Sequence, residues 1–86
     1  MTENKLSDAR IKKEAPGPKV KKLADGSGLF LQVELTGSKL WRLAYRFGGK
    51  QKTISFGAYP TVSLKDARER REEAKVLLSR GIDPSA

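Results

Sequence analysis

The chain has 86 residues, 18 of them Lys or Arg against 10 Asp or Glu, for a net charge of +8 at neutral pH. It contains no cysteine and no histidine, which removes disulfides, thiolate metal sites and His-dependent acid–base chemistry. One small domain with a thin core and little room for an internal active site is expected, and a field of this sign recruits polyanions by steering and counterion release.

The chain opens MTENKLSDAR, polar and without an apolar signal region, and no run reaches transmembrane length. An intracellular protein is expected. Ser7 is placed to cap a short helix reaching residue 13, with Asp8 in the first turn where the helix dipole favours an acid. Ala15-Pro16-Gly17-Pro18 ends it. Residues 19–23 suit a short edge strand, since Lys21 and Lys22 would blunt the edge, and Asp25-Gly26-Ser27-Gly28 reads as the following turn.

Residues 29–35 alternate, with Leu29, Leu31, Val33 and Leu35 on one face and Phe30, Gln32 and Glu34 on the other. After Thr36-Gly37-Ser38, residues 40–47 place Trp41, Leu43, Tyr45 and Phe47 with the core and Arg42, Ala44 and Arg46 away from it. Gly48-Gly49 is a two-residue hairpin signal. The last strand, about residues 50–56, puts Ile54 and Phe56 inside and Gln51, Thr53 and Ser55 outside. Ser63 then caps a second helix with Asp66 as the returning acid of a capping box. Its inward stripe is Leu64, Ala67, Arg71, Ala74 and Leu78, and Gly81 ends it. The expected fold is α+β, a three-stranded antiparallel sheet with room for a short extra edge strand, packed on a C-terminal helix and preceded by a short N-terminal one. Residues 1–81 form the domain and residues 82–86 the start of a linker, as if cut from a longer chain.

Charge is unevenly spread. Residues 39–52 hold Lys39, Arg42, Arg46, Lys50 and Lys52 with no acid, whereas residues 53–86 come close to neutrality. Covering the apolar sheet face with the second helix leaves Phe30, Gln32, Glu34, Arg42, Ala44, Arg46, Gln51, Thr53 and Ser55 on the other. Guanidinium forks, amides and hydroxyls are the groups that read base edges and phosphates. Arg42 and Arg46 are the leading DNA-contact candidates, with Gln32, Gln51, Thr53 and Ser55 as supporting readers. Lys39, Lys50 and Lys52, at hairpin ends, suit phosphate better than bases. Glu34 dissents unless it accepts from cytosine or orients an Arg. Phe30 would either pack under the N-terminal segment or touch a thymine methyl.

Other signals have plainer readings. Trp41 belongs with the core by alternation, and Tyr45 and Tyr59 with packing. Gly26-Ser27-Gly28 precedes a strand rather than a helix and reads as a turn, not a phosphate loop. The 18–22 run resembles an import signal in composition only. Ser63 is a cap with no base to activate it. Residues Glu69 to Glu73 read as a solvated helix face with i,i+4 pairs.

The run Lys22-Leu23-Ala24-Asp25-Gly26-Ser27-Gly28-Leu29-Phe30-Leu31, then Leu40-Trp41-Arg42 with Tyr45-Arg46-Phe47-Gly48-Gly49-Lys50, Gly57-Ala58-Tyr59-Pro60, Ser63-Leu64 with Ala67-Arg68, and Gly81-Ile82-Asp83-Pro84 resembles the N-terminal domain of P4-like phage and genomic-island integrases. The resemblance spans nearly the whole chain. It implies a non-catalytic domain that binds double-stranded DNA at arm-type sites flanking the attachment core, within a tyrosine recombinase whose nucleophile lies elsewhere. It implies no cofactor, and a cytoplasmic, nucleoid-associated location. Docking of other integrase protomers or a directionality factor is the rival expectation. RNA binding is disfavoured because the outer face lacks paired aromatics.

Overall fold

A computed structural model describes residues 4–85; the first three residues and Ala86, the last of the expected linker, lie outside the described residues. The chain runs α1 (Asp8–Lys13), β1 (Lys21–Gly26), β2 (Leu29–Val33), β3 (Lys39–Phe47), β4 (Lys50–Tyr59) and α2 (Leu64–Ser79). The four strands form one antiparallel sheet in the order β1-β2-β3-β4. The edge strand is therefore a full member of the sheet, and it begins two residues later than the lysine pattern suggested.

Local chemistry sets the boundaries. Ser7 caps α1 through the Arg10 amide at 3.2 Å. Ser63 and Asp66 form the expected capping box on α2, with the Asp66 amide donating to Ser63 Oγ at 3.0 Å. At its other end the Gly81 amide bonds Leu78 O and the Ile82 amide bonds Leu77 O, a Schellman arrangement with Gly81 in the left-handed region at φ +74°. Leu35, expected inside, is 58 % exposed. The Glu34 amide already bonds Ser38 O and the Gly37 amide bonds Glu34 O, so the turn begins before Leu35 and carries it out of the sheet.

The strands lay Leu29, Leu31, Val33, Trp41 and Leu43 under both helices, where Ile11, Leu64, Ala67 and Ala74 close over them. Trp41 is fully buried; its indole N–H donates to Val62 O at 2.8 Å and its ring meets Tyr59 edge-on at 6.3 Å. Strand β4 runs three residues beyond its expected end because of a bulge. Trp41 faces Gly57 while Arg42 faces Ser55, leaving Phe56 as the extra residue. The insertion shifts the alternation by one, so Ile54 and Phe56 before it and Tyr59 after it all pack against the core. Gly57 sits at φ +117° with Val62 Cγ2 only 2.7 Å from where a Cβ would stand, so a side chain there has neither the backbone nor the space.

A fully buried carboxylate ties the layers together. Asp25 is the extra residue where β1 shifts register against β2, and its side chain points inward. It accepts from the Leu6 amide at 2.8 Å, from Arg68 Nε at 2.9 Å and the other Arg68 fork at 3.0 Å, and from Arg71 at 3.3 Å. Arg71 donates onward to Asn4 and Glu72. Its stripe position on α2 was expected, but it is buried as an ion-pair member; the solvated reading of residues 69–73 fails at this residue. Burial alone would raise the Asp25 pKa. The Arg68 hydrogen bonds, the Leu6 amide and the two guanidinium charges outweigh it and hold the carboxyl below its ordinary value.

Asp25→Asn leaves two guanidinium groups facing a neutral amide and should cost roughly 3–5 kcal/mol, read from urea unfolding by fluorescence of the single tryptophan. Because the folded-state pKa is depressed below 3.8, the carboxylate's contribution is intact above that pH and is lost as pH falls through the lowered value. The variant should lack that acid-sensitive component; unchanged stability in both respects would remove Asp25 from this role.

Candidate nucleic-acid interface

Both helices lie on one side of the sheet, so the other side is presented outward. Strand register orders its residues into rows: Lys22, Gln32, Leu40 and Ala58 across all four strands, then Ala24, Phe30, Arg42 and Ser55, then Ala44 with Thr53, then Arg46 with Gln51. Six of the sequence-derived candidates, Arg42, Arg46, Gln32, Gln51, Thr53 and Ser55, thus come together on one surface. Arg46 donates to Gly49 O at 3.3 Å, which leans it toward the hairpin. Glu34, beside the end of β2, accepts from the Gln32 amide at 2.7 Å. It orients a glutamine, where an arginine had been considered.

The three lysines separate from this group. Lys39 pairs in register with Tyr59 on the helix side and donates to Ile11 O at 2.7 Å, closing the C-terminal end of α1. Lys52 stands opposite Tyr45 on that same side, where its ammonium pairs with Asp83 and lies 5.8 Å from the Phe47 ring centre. Lys50, opposite Phe47 at the hairpin tip, is exposed. Alternation brings a different cation to the outer face: Lys22, whose ammonium sits 5.5 Å from the Phe30 ring centre. Phe30 is absent from the core cluster and lies outside, not beneath the N-terminal segment.

The Arm DNA-binding domain family matches residues 6–86. This chain belongs to that family. It is 46 % identical over 82 residues to the integrase of Enterobacteria phage P4, an alignment covering 93 % of this chain and 19 % of that protein. Prophage integrase IntA of Escherichia coli (strain K12) is 52 % identical over 81 residues, covering 92 % and 20 %, and the integrase of Shigella phage Sf6 is 39 % identical over 79 residues, again covering 92 % and 20 %. The chain spans about a fifth of the length of these relatives. As an arm DNA-binding domain it is the DNA-binding part, not the catalytic part, which is what the motif resemblance implied.

Charge is arranged differently on the two sides of this arm DNA-binding domain. Six cations on the helix side and at the edge are matched to acids: Arg68 and Arg71 to Asp25, Arg71 and Lys75 to Glu72, Lys52 to Asp83, and Lys21 and Arg10 to Glu14, while Lys39 and Arg70 donate to backbone carbonyls. On the outer face, the side chain of Arg42 has no hydrogen-bond or ion-pair partner among the described residues, although neighbouring side chains leave it only partly exposed. A half-buried guanidinium without a partner keeps its five donors for something outside the chain. Among the described residues no group of three or more His, Cys, Asp or Glu could hold a metal ion, and no helix is long and apolar enough to cross a membrane.

A second acidic anchor fixes the segment after α2. Asp83 accepts from Tyr45 Oη at 2.6 Å, from Lys52 Nζ, and from the Ser85 amide at 2.9 Å. The Lys52 and Tyr45 bonds hold its carboxyl far below the usual carboxylate range, and the same contact raises the Lys52 pKa. Residues expected to begin a linker are therefore fastened to the β3–β4 hairpin at Asp83. Asp83→Ala should speed hydrogen exchange of the Ser85 amide at least tenfold while leaving exchange in β2 and β3 unchanged. Exchange at Ser85 equal to that of the parent chain would show that the anchor contributes nothing.

Proposed function

We propose that this arm DNA-binding domain recognises a specific double-stranded DNA sequence by laying the outer face of its sheet into the major groove. In this reading it is the arm-type site-recognition module of a site-specific integrase of the tyrosine recombinase kind, acting in integration and recombination of a prophage or genomic island in the bacterial cytoplasm, at the nucleoid. The observation that carries it is the asymmetry of charge: behind the sheet Asp25, Glu72 and Asp83 are paired with Arg68, Arg71 and Lys52, and Arg42 in front has no partner among the described residues. A groove about 12 Å wide admits a two-stranded ribbon, and β3–β4 is the longest ribbon in the domain.

Roles follow from position. Arg42, in the middle of the face, reads a base edge. Arg46 and Gln51, in one row near the hairpin, and Gln32, Thr53 and Ser55 supply further base or backbone contacts. Lys22 and Lys50, at the rims, meet phosphates. Lys39 and Lys52 serve the fold through Ile11 and Asp83. Docking of integrase protomers or a directionality factor remains the competing reading, and one experiment separates the two.

Duplexes are selected from a random pool by the chain at near-physiological salt, where non-specific binding is weak. A defined motif is expected. Arg42→Ala should weaken binding to it by about 1–3 kcal/mol and relax preference at one position, whereas Lys52→Met should leave the preference intact. Recovery of no motif, together with saturable self-association, would put the docking reading first.

A further inference from the structure

Arg42 rises from an apolar floor. Phe30 stands directly opposite it on β2, and Leu40 and Ala44 lie two residues before and after it on β3, so all three share its face. Ala24 and Ala58 extend the same surface at the ends of the two rows. Phe30 and Leu40 are partly exposed, and neither belongs to the core. A sheet face that only meets water alternates to polar residues, and a phosphate clamp uses cations, hydroxyls and amides. Neither explains Phe30 and Leu40 beside Arg42 on this face. Apolar side chains that stay partly exposed together on one face, rimmed by polar ones, mark a binding site. Stacking on an unpaired base is a poor fit, because the Phe30 ring already carries the Lys22 ammonium at 5.5 Å.

One groove feature is both apolar and specific to a base, the C5-methyl of thymine. We propose that Phe30, Leu40 and Ala44 read thymine methyl groups beside the base pair contacted by Arg42, so that the ligand is a major-groove step in which a guanine adjoins one or more thymines. The inference rests on the outer face being the DNA-reading face and goes beyond it by naming the chemistry of the site. Gln32, held in place by Glu34 in the neighbouring row, keeps its amide oxygen and one N–H for an adjacent adenine, the partner base of such a thymine.

The test uses the duplex recovered by selection, with each thymine in turn replaced by uracil, which deletes the methyl and preserves pairing. Binding should fall about fourfold at one or two positions next to the guanine, the equivalent of one buried CH₂, and be unchanged elsewhere. Phe30→Ser or Leu40→Ser should bring the thymine-to-uracil ratio at those positions to one, while Arg42→Ala should leave that ratio in place. Circular dichroism and thermal unfolding of the variants separate loss of reading from loss of fold. If uracil is tolerated at every position by a chain that still selects a motif, the methyl inference is overturned and the sheet-face reading stands. If no motif is selected, both fall.

Discussion

The arrangement of the whole domain hangs on one buried carboxylate. An ion at the position of Asp25 costs several kcal/mol of lost hydration unless its lone pairs are filled, and here they are filled by donors from two other parts of the chain, so that three segments meet at one carboxylate. Leu6 brings the N-terminal segment, Arg68 and Arg71 bring two successive turns of α2, and Asp25 itself brings the β1–β2 turn. The Lys5 amide bonds the Asp25 carbonyl at 3.0 Å and Arg68 also donates to Leu6 O at 2.8 Å, so the same junction is closed through the backbone. A thin apolar core is non-directional; this network supplies a direction, because only one placement of α2 brings both guanidinium groups to one carboxylate.

That placement has consequences on the far side of the sheet. With α2, α1 and the Asp83 anchor all behind it, every large structural demand on the strands is met from one face, and Asp25, Glu72 and Asp83 are used there. Twist and bulge then shape the front. The extra residue at Phe56 lets β4 keep Ile54 and Tyr59 inward while Ser55 and Ala58 both face out. Close approach at the other end is permitted by Gly28, where an added Cβ would come within 2.2 Å of the Ala44 carbonyl oxygen. The result is a nearly uninterrupted outer surface on which Lys22, Arg42 and Arg46 have no acidic partner among the described residues. Binding of a polyanion is the electrostatic complement of how the interior is held together.

Much of this could be read from residue order. Alternation in residues 29–33 and 40–47 assigned both faces correctly, and Ser63, Asp66 and Gly81 marked the ends of α2 because caps are local chemistry. Lys50 and Lys52 were legible too: they share parity with Ile54 and Phe56, so alternation already sends them to the helix side, whatever their charge. Asp25 was hidden for a different reason. A DGSG sequence is a strong turn signal, and nothing local says that its acid turns inward to meet residues 43 and 46 positions later. Arg71 sat on the apolar stripe, which was the available hint that an acid waited opposite. The bulge at Phe56 and the Asp83 anchor depend on contacts between distant segments and have no short-range signature.

The central claim, that the outer sheet face meets DNA, is most directly tested by recording backbone and side-chain amide NMR shifts of the chain as a cognate duplex is added. The largest changes should map to Phe30, Gln32, Arg42, Ala44, Gln51 and Thr53, with residues Glu69 and Glu73 on the opposite surface of α2 unmoved. Changes centred on α2, with the outer strand residues silent, would contradict it.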